Sequence, residues 1–306
     1  MSTVDRSNPM AAVRHLTNAV LLFDGAMGTT LNNYPDRDWE APEEVTLRHP
    51  DRLSQVHSAY VDAGADVITT NTFGGNLIRL KRADLINQAR EINRRAATLA
   101  REAAGDNAWV AGSMGQSGDF LEPLGDITRE QMHEAFAVQA DHLKAGGADL
   151  LLCETFSDVQ EVKIAITAAK ATGLPVFATM TYDINLHTMM GIAPADGLHA
   201  CESAGADVVG CNCGNGPEEM SQVLQQMIDA SPNSQLMAQS NAGVPELIDG
   251  QVCYTYPAER MVDFARQWIK DGVRIIGTCC GSTNQTTALL RKMIDDEARP
   301  PIQNQP

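Results

Sequence analysis

The sequence has little positive charge and no long apolar run. Its 306 residues carry 23 lysines and arginines against 39 aspartates and glutamates, a formal net charge of −16. Such a charge opposes binding to a phosphate backbone or an anionic membrane surface, so nucleic acid is not an expected partner. No stretch approaches the roughly 18 consecutive apolar residues of a membrane span, and the N-terminus lacks the apolar block of a signal peptide. We therefore expect a cytoplasmic protein with no membrane partner.

Several widespread catalytic motifs are also absent. No Gly-x-Gly-x-x-Gly follows the first apolar run, which argues against a doubly wound dinucleotide-binding fold. The sequence has no phosphate-binding loop, no His-Glu-x-x-His and no Ser-His-Asp order. Its seven cysteines are an odd set in a chain too long to need disulfide staples, which favours reduced thiols in a reducing compartment.

Short apolar runs that end in polar or glycine residues alternate with longer helical patterns. Eight such runs in a chain of this length indicate a single-domain α/β fold, a (β/α)8 or TIM barrel, whose parallel strands are covered by helices. The runs begin at Val20, Asp66, Trp109, Asp149, Pro175, Asp207, Gln235 and Val273. We place the barrel over residues 19–297, after an N-terminal arm over 1–18 and before a flexible tail over 298–306.

Three cysteines end two of these runs, on the face where such barrels carry their chemistry. Cys213 ends the sixth run, and Cys279 and Cys280 end the eighth between Gly277 and Gly281. Adjacent cysteines can converge only where a strand ends and the backbone turns, which the flanking glycines permit. Three thiolates on one zinc ion leave a fourth position open, as in a catalytic site. The alternative interpretation is a set of ordinary buried thiols.

Two carboxylates are predicted on the same face. Asp24 ends the first run and Glu154 the fourth, so the pair could share the ammonium group of a small substrate. Each could instead cap a helix or turn. Gly25 leaves backbone N–H groups accessible to a substrate carboxylate. In the long first loop, Trp39 either offers a cation-π face to a quaternary ammonium or anchors the loop to the barrel rim.

Seven short motifs carry a resemblance to a known family. They are D-G-A-M-G-T at Asp24, T-N-T-F-G-G-N at Thr70, E-T at Glu154, T-M-M-G at Thr188, G-C-N-C-G at Gly210, S-N-A-G-V-P at Ser240 and G-T-C-C-G at Gly277. Through them the chain resembles the homocysteine S-methyltransferases over roughly Leu21 to Ile294. The resemblance implies a zinc-dependent (β/α)8 barrel that methylates the thiol of homocysteine to give methionine.

The resemblance also implies roles for individual residues. The implied zinc ligands are Cys213, Cys279 and Cys280, with Asn241 in the fourth position before substrate arrives. Cys211 lies outside the ligand set, and we expect it to be a structural thiol.

The implied substrate contacts lie on the first and fourth strands. Asp24 and Glu154 would hold the homocysteine amino group, and Gly25 and its neighbours would receive its carboxylate. An acceptor thiol without an ammonium group would leave both charges unpaired.

The methyl donor is expected to be a small onium compound, betaine-like or a sulfonium. The residues around Thr70 to Asn76 look most like bacterial stand-alone betaine-homocysteine methyltransferases. Gly74 and Thr155 stand where the animal betaine enzymes place aromatic residues, so a complete aromatic cage is not expected. Alternatives are a methylcorrinoid on a separate protein, another small thiol as acceptor, and a zinc-binding scaffold or sensor. Formation of a homo-oligomer is left open.

Overall fold

A computed structural model describes residues 19–248 and 251–298 of the chain. Each predicted apolar run contains one strand of an eight-stranded parallel sheet. These strands are β1 (Leu21–Leu22), β2 (Val67–Thr69), β3 (Trp109–Gly115), β4 (Leu150–Phe156), β5 (Val176–Met180), β6 (Val208–Cys213), β7 (Leu236–Ser240) and β10 (Ile275–Thr278). The predicted N-terminal arm lies outside the described residues, as does nearly all of the predicted tail.

The sheet closes on itself. Strands β2 to β7 pair in chain order, β10 pairs with β7 and β1, and a parallel bridge between Phe23 and Val67 joins β1 to β2. The backbone N–H of Asp24 also donates to the Val67 carbonyl at 3.0 Å. The predicted (β/α)8 barrel is confirmed.

Helices on the outside of the sheet complete the fold. They are α1 (Gly28–Asn32), α2 (Val45–Arg48), α3 (Pro50–Asp62), α4 (Leu77–Arg82), α5 (Ala89–Ala104), α6 (Arg129–Gly146), α7 (Val159–Lys170), α8 (Pro194–Ser203), α9 (Pro217–Ala230), α10 (Ala258–Lys270) and α11 (Asn284–Ala298). The last helix reaches one residue past the predicted end of the barrel. None of the helices in the described part of the chain is long and apolar enough to cross a membrane.

Both faces of the sheet are buried, which explains why the strands are almost continuously apolar. One cluster fills the barrel interior and a larger one lies between strands and helices. The interior cluster consists of Leu21, Phe23, Val67, Trp109, Ala111, Leu150, Leu152, Phe177, Val208, Met237 and Ile275. The barrel is therefore a packed core, open to chemistry only at its ends.

An antiparallel hairpin interrupts the connection between β7 and α10. Its strands are β8 (Glu246–Ile248) and β9 (Gln251–Cys253). Leu247 and Val252 are 76% and 63% exposed, so the hairpin projects apolar side chains from the face to which the strand ends point. The hairpin was not predicted, although the intervening Asp-Gly pair is typical of a two-residue hairpin turn.

Candidate metal and substrate site

The structure brings three cysteines together at the carboxyl ends of β6 and β10. The Sγ atoms of Cys213, Cys279 and Cys280 all lie within 4.8 Å of one another, and those of Cys213 and Cys280 are 3.9 Å apart. A tetrahedral zinc ion with bonds of about 2.3 Å to sulfur separates two sulfur ligands by about 3.8 Å. The Cys213–Cys280 separation matches that of two sulfur ligands on one zinc ion, and the third thiol lies close enough to both to be a candidate ligand.

The backbone turns sharply at each end of the cluster. Cys213 has a φ of 63°, in the left-handed region that a non-glycine residue rarely adopts, and Gly281 has a φ of 81°. The Cys279 N–H donates to the Ser240 carbonyl at 2.7 Å, and the Ser282 hydroxyl donates to the Cys279 carbonyl at 2.7 Å. Neighbouring strands thus hold the turn that lets two adjacent cysteines converge. Backbone strain of this kind is often found at functional sites.

Interactions inside the cluster give the three thiols different pKa values. Those from Cys213 and Cys279 lower the pKa of Cys280, and bonding to Cys213 and Cys280 raises the pKa of Cys279. In the absence of a metal ion, the Cys280 thiolate is thus stabilised by the thiols of Cys213 and Cys279. A bound metal ion would displace the protons of those two thiols. The remaining buried thiols behave differently, because burial raises the pKa of Cys211 and of Cys153 with no such donors.

Two asparagines touch the thiols. The Asn241 Nδ2 donates to the Gly214 carbonyl at 2.6 Å, its side chain lies close enough to Cys213 to lower the pKa of that thiol, and its buried Oδ1 has no partner among the described residues. A buried unpaired oxygen beside three thiols is suited to a metal's fourth position. The Asn212 Nδ2 donates toward the Cys279 sulfur at 4.0 Å.

Asp24 lies behind the thiols at the end of β1 and is only 2% exposed. Its carboxylate accepts hydrogen bonds from the N–H of Thr69 at 2.7 Å and from the Thr69 hydroxyl at 2.8 Å. Burial nevertheless raises the pKa of Asp24 to about 8, and the charge of Glu154 adds to the rise. The Asp24 carboxylate is thus bonded to Thr69 of β2 and interacts electrostatically with the second carboxylate, Glu154.

Glu154 lies within β4, two residues before the end of the strand, which the sequence placed at Glu154, and accepts a hydrogen bond from the Ser113 hydroxyl on β3. Burial and, to a smaller extent, the negative charge of Cys280 together raise the pKa of Glu154 to about 7. The electrostatic contacts therefore run from Asp24 through Glu154 to the thiols. Within the described residues, neither carboxylate forms an ion pair with a lysine or arginine. Two acidic groups that lack a cation provide a site for an ammonium group.

Gly25 faces a cluster of hydroxyl groups. A Cβ atom at this position would lie 2.7 Å from the hydroxyl oxygens of both Ser282 and Thr278 and 3.0 Å from that of Tyr60. The Thr278 hydroxyl is buried and has no partner among the described residues. The three hydroxyl groups therefore pack directly against the Gly25 backbone, and any side chain at this position would clash with them.

Trp39 lies under the first loop rather than at the mouth of the site. It is 3% exposed and packs against Tyr34 and His49, with ring centroids 6.4 Å and 5.3 Å away. The Arg52 guanidinium lies 5.7 Å from the Trp39 ring and 4.8 Å from that of Tyr34. A cation of the protein itself thus occupies these aromatic faces, which favours the anchoring role over contact with a donor.

Comparison with known proteins identifies the family. The sequence profile described as homocysteine S-methyltransferase matches residues 21–294. The chain belongs to the homocysteine S-methyltransferase family. It is 32% identical over 294 residues to the methionine synthases of Mycobacterium leprae and Mycobacterium tuberculosis. Each alignment covers 88% of this chain but only 24% of the relative, so the chain spans about a quarter of those proteins.

Solved structures support the fold. The metallated form of the homocysteine methyltransferase MmuM from Escherichia coli superposes with a TM-score of 0.77 and is 23% identical, covering 93% of this chain and 99% of that one. The oxidized form gives the same TM-score and identity. At this identity the likeness concerns the barrel architecture alone.

Sequence reasoning missed several residues that build the site. Ser113 and Asn212 each hydrogen bond to a group singled out from the sequence, and the Tyr254 ring packs on Gly281 beside Cys280. Ser113 was hidden in an apolar strand, although a polar residue buried in a barrel strand is itself a signal. Asn212 stands between the two cysteines of G-C-N-C-G, and only the cysteines have the residue type typical of a zinc ligand. Tyr254 follows the unpredicted hairpin.

Proposed function

We propose that this protein is a zinc-dependent methyltransferase that transfers a methyl group to the thiol of homocysteine, giving methionine. The observation that carries the proposal is the convergence of a three-thiol cluster with two cation-free buried carboxylates on one face of the barrel. A structural zinc site in a scaffold or sensor would not need the carboxylates. Membership of the homocysteine S-methyltransferase family supports the same acceptor.

The zinc ion and the substrate thiol would be bound by the residues of the cysteine cluster. Cys213, Cys279 and Cys280 would hold the zinc ion, and the unpaired Oδ1 of Asn241 would give way to the incoming thiol. When bound, zinc would lower the pKa of the homocysteine thiol from about 8.5 and supply a thiolate at neutral pH.

The amino-acid part of the substrate has its own contacts. Glu154 and Asp24 would pair with the ammonium group, and each would release its proton on binding because both pKa values are raised in the free protein. The backbone of Gly25 and its neighbours would receive the substrate carboxylate, close to the Thr278 hydroxyl that has no partner among the described residues. Together these contacts orient the thiol toward the open side of the cluster. A small thiol without an ammonium group would make no ion pair with Asp24 or Glu154.

For the methyl donor we propose a small onium compound, betaine-like or a sulfonium. The open end of the barrel gives such a molecule direct access to the thiols. Because Arg52 already covers the Trp39 ring, this donor would approach without help from Trp39.

A second donor, a methylcorrinoid carried on a separate protein, is favoured by the apolar rim of the catalytic face. Among the described residues, eight of the nine large hydrophobic side chains classed as exposed lie in three loops that follow barrel strands. They are Phe120, Leu124, Ile184, Met189, Val244, Leu247, Ile248 and Val252. Contiguous exposed apolar surface around a site commonly marks a protein contact.

Product analysis tests both halves of the proposal. Zinc-loaded protein is incubated with homocysteine and, in separate reactions, glycine betaine, S-methylmethionine, dimethylsulfoniopropionate and methylcobalamin, with cysteine as an alternative acceptor. Methionine formed from an onium donor supports the first candidate, and methionine from methylcobalamin alone supports the second. Absence of methionine with every donor, in protein that retains zinc, would contradict the methyltransferase assignment.

A further inference from the structure

The strand β4 contains one extra residue next to the candidate ammonium site. Its register against β5 shifts between Cys153 and Phe156. Only Thr179 lies between the two partner residues on β5, so Glu154 and Thr155 together stand opposite one residue. This arrangement is a β-bulge, which re-aims side chains and is common beside active sites.

The bulge changes the side of the sheet on which the following residue lies. Leu152 belongs to the interior cluster and Cys153 to the cluster between strands and helices, as the alternation of a strand requires. Continued alternation would place Phe156 on the interior side, yet it packs in the helix-facing cluster. The extra residue thus leaves Glu154 beside the Ser113 hydroxyl and returns the next large side chain to the helices.

The bulge depends on an unfavourable backbone conformation at Thr155. Its φ is 63°, in the left-handed region that is costly for a β-branched residue. The side-chain amide of Asn212 on β6 holds this conformation from both sides. The Thr155 N–H donates to the Asn212 Oδ1 at 2.9 Å, and the Asn212 Nδ2 donates to the Thr155 hydroxyl at 2.7 Å.

Asn212 is itself fixed in place. It is 1% exposed, and the Thr179 hydroxyl on β5 donates to its Oδ1 at 2.7 Å. One buried amide therefore links three neighbouring strands, β4, β5 and β6, at the end of the barrel that carries the thiols. Hydrogen bonds in such a buried position are costly to lose, because the groups left behind have no water to replace them.

We propose that Asn212 is a positioning residue for the amino group of the substrate: its side chain holds Thr155 in the left-handed conformation and so fixes the bulge that presents Glu154. This inference rests on the proposed function, because it takes Glu154 to pair with the homocysteine ammonium group. Asn212 directly precedes Cys213, so the alignment of the carboxylate is tied to a strand that ends in a thiol. Binding groups held in this way by neighbouring side chains are the ones that orient a substrate precisely.

The test measures a preference between two thiols. Zinc-loaded protein is titrated calorimetrically with homocysteine and with desamino-homocysteine, which has the same thiol and carboxylate but no ammonium group. Asn212→Ala should lower the preference for homocysteine roughly tenfold, since the whole charge-assisted contact accounts for roughly tenfold to a hundredfold in affinity. A general loss of packing, or weaker zinc binding, would instead weaken both thiols alike.

Thr155 offers a matched pair of variants. Thr155→Gly and Thr155→Val both delete the hydroxyl, but only glycine adopts a φ of 63° without strain. Thr155→Val should therefore lower the preference, whereas Thr155→Gly should keep it within about twofold of the wild type. In the Thr155→Gly background, Asn212→Ala should cost less than in the wild type, because glycine does not need to be held.

Thr179→Val is the control for the loss of a buried hydrogen bond. It removes the third bond to Asn212 and leaves both bonds between Asn212 and Thr155 in place. Its preference for homocysteine should match that of the wild type.

The outcomes separate this inference from the one on which it rests. An unchanged preference in Asn212→Ala, or an equal loss in Asn212→Ala and Thr179→Val, would overturn the role of Asn212. Equal preferences in Thr155→Gly and Thr155→Val would overturn it as well, and this pair decides the question if Asn212→Ala does not fold. A wild-type protein with no preference for homocysteine over its desamino analogue would refute the ammonium site of the proposed function itself.

Discussion

The interior of the barrel and its catalytic end are made by the same strands and follow opposite rules. In the interior, Phe23, Phe177 and Met237 are fully buried with no polar group near them in their cluster. At the end that carries the thiols, β6 finishes in Cys213, whose backbone is strained, and burial raises the pKa values of Asp24 just after β1 and of Glu154 near the end of β4. Regular packing supplies the stability that allows irregular, costly groups to be held a few residues away.

The largest expected effect is the loss of the metal centre. Cys213→Ala, Cys279→Ala or Cys280→Ala should each abolish zinc retention and turnover, because each removes one of three ligands. The measurement is zinc content after gel filtration, together with the methionine assay.

Cysteines elsewhere in the chain provide the control for these variants. Cys211→Ala and Cys201→Ala remove buried thiols outside the cluster and should retain zinc. Full zinc retention in Cys280→Ala would show that the thiols are not the ligands.

The interior should respond in the opposite way. Phe177→Ala leaves a cavity in the barrel core and should lower the free energy of unfolding by about 3 to 5 kcal/mol. The folded fraction should still bind one equivalent of zinc. Urea unfolding and zinc titration of the same preparation measure the two effects. A variant that loses zinc affinity but keeps its stability would contradict the assignment of stability to the interior and of metal binding to the strand ends.

A third region, the layer between the helices and the barrel, contains a buried histidine whose protonation should affect the stability of the fold but not the metal site. His57 on α3 is fully buried, neither ring nitrogen has a partner among the described residues, and burial lowers its pKa to about 4. The unfolded chain takes up this proton below about pH 6.5, whereas the folded protein does so only near pH 4. Stability should therefore fall by about 3 kcal/mol as the pH drops through this window.

Replacing the ring tests this effect. His57→Leu should lose the His57 contribution to the fall in stability between about pH 7 and pH 4. Unfolding free energies of the metal-free wild type and variant at both ends of the window give the difference. Parallel pH profiles for the two proteins would mean that His57 is not the source.

The smallest expected effect concerns substrate affinity. Glu154→Gln should weaken homocysteine binding roughly tenfold to a hundredfold, since a charge-assisted contact contributes about 1.5 to 3 kcal/mol. Zinc affinity should change much less. Because the pKa of Glu154 is raised to about 7, protons should compete with the ammonium group as the pH falls through that value.

Calorimetric titration across this pH range provides the check. Wild-type affinity for homocysteine should decline toward acid pH, and the decline should be shallower in Glu154→Gln. Equal affinities in the two proteins would remove Glu154 from the substrate site. Ser113→Ala, which deletes the hydroxyl donor to Glu154, offers a milder companion variant.

Local patterns in the sequence were sufficient for the barrel. Strands buried on both faces must be apolar throughout, so each of the eight runs could be recognised by itself. Four helices are followed by a glycine before the next strand, as a left-handed helix end favours, and these glycines, Gly64, Gly147, Gly205 and Gly272, have φ values between 90° and 105°. Once the strands were known to be parallel, the residues that follow them had to share one face.

The sequence by itself determined the fold and which residues could carry chemistry, because strand periodicity, helix caps and residue type are local properties. Only the tertiary structure decided which of those residues meet and in what surroundings. Barrel closure places Cys213 beside Cys280 across 67 positions of chain, and burial raises the pKa of Asp24 and Glu154. Arg52 covers Trp39, and the segment after the hairpin sets the Tyr254 ring on Gly281. These outcomes depend on distances between residues remote in sequence, which no local pattern encodes.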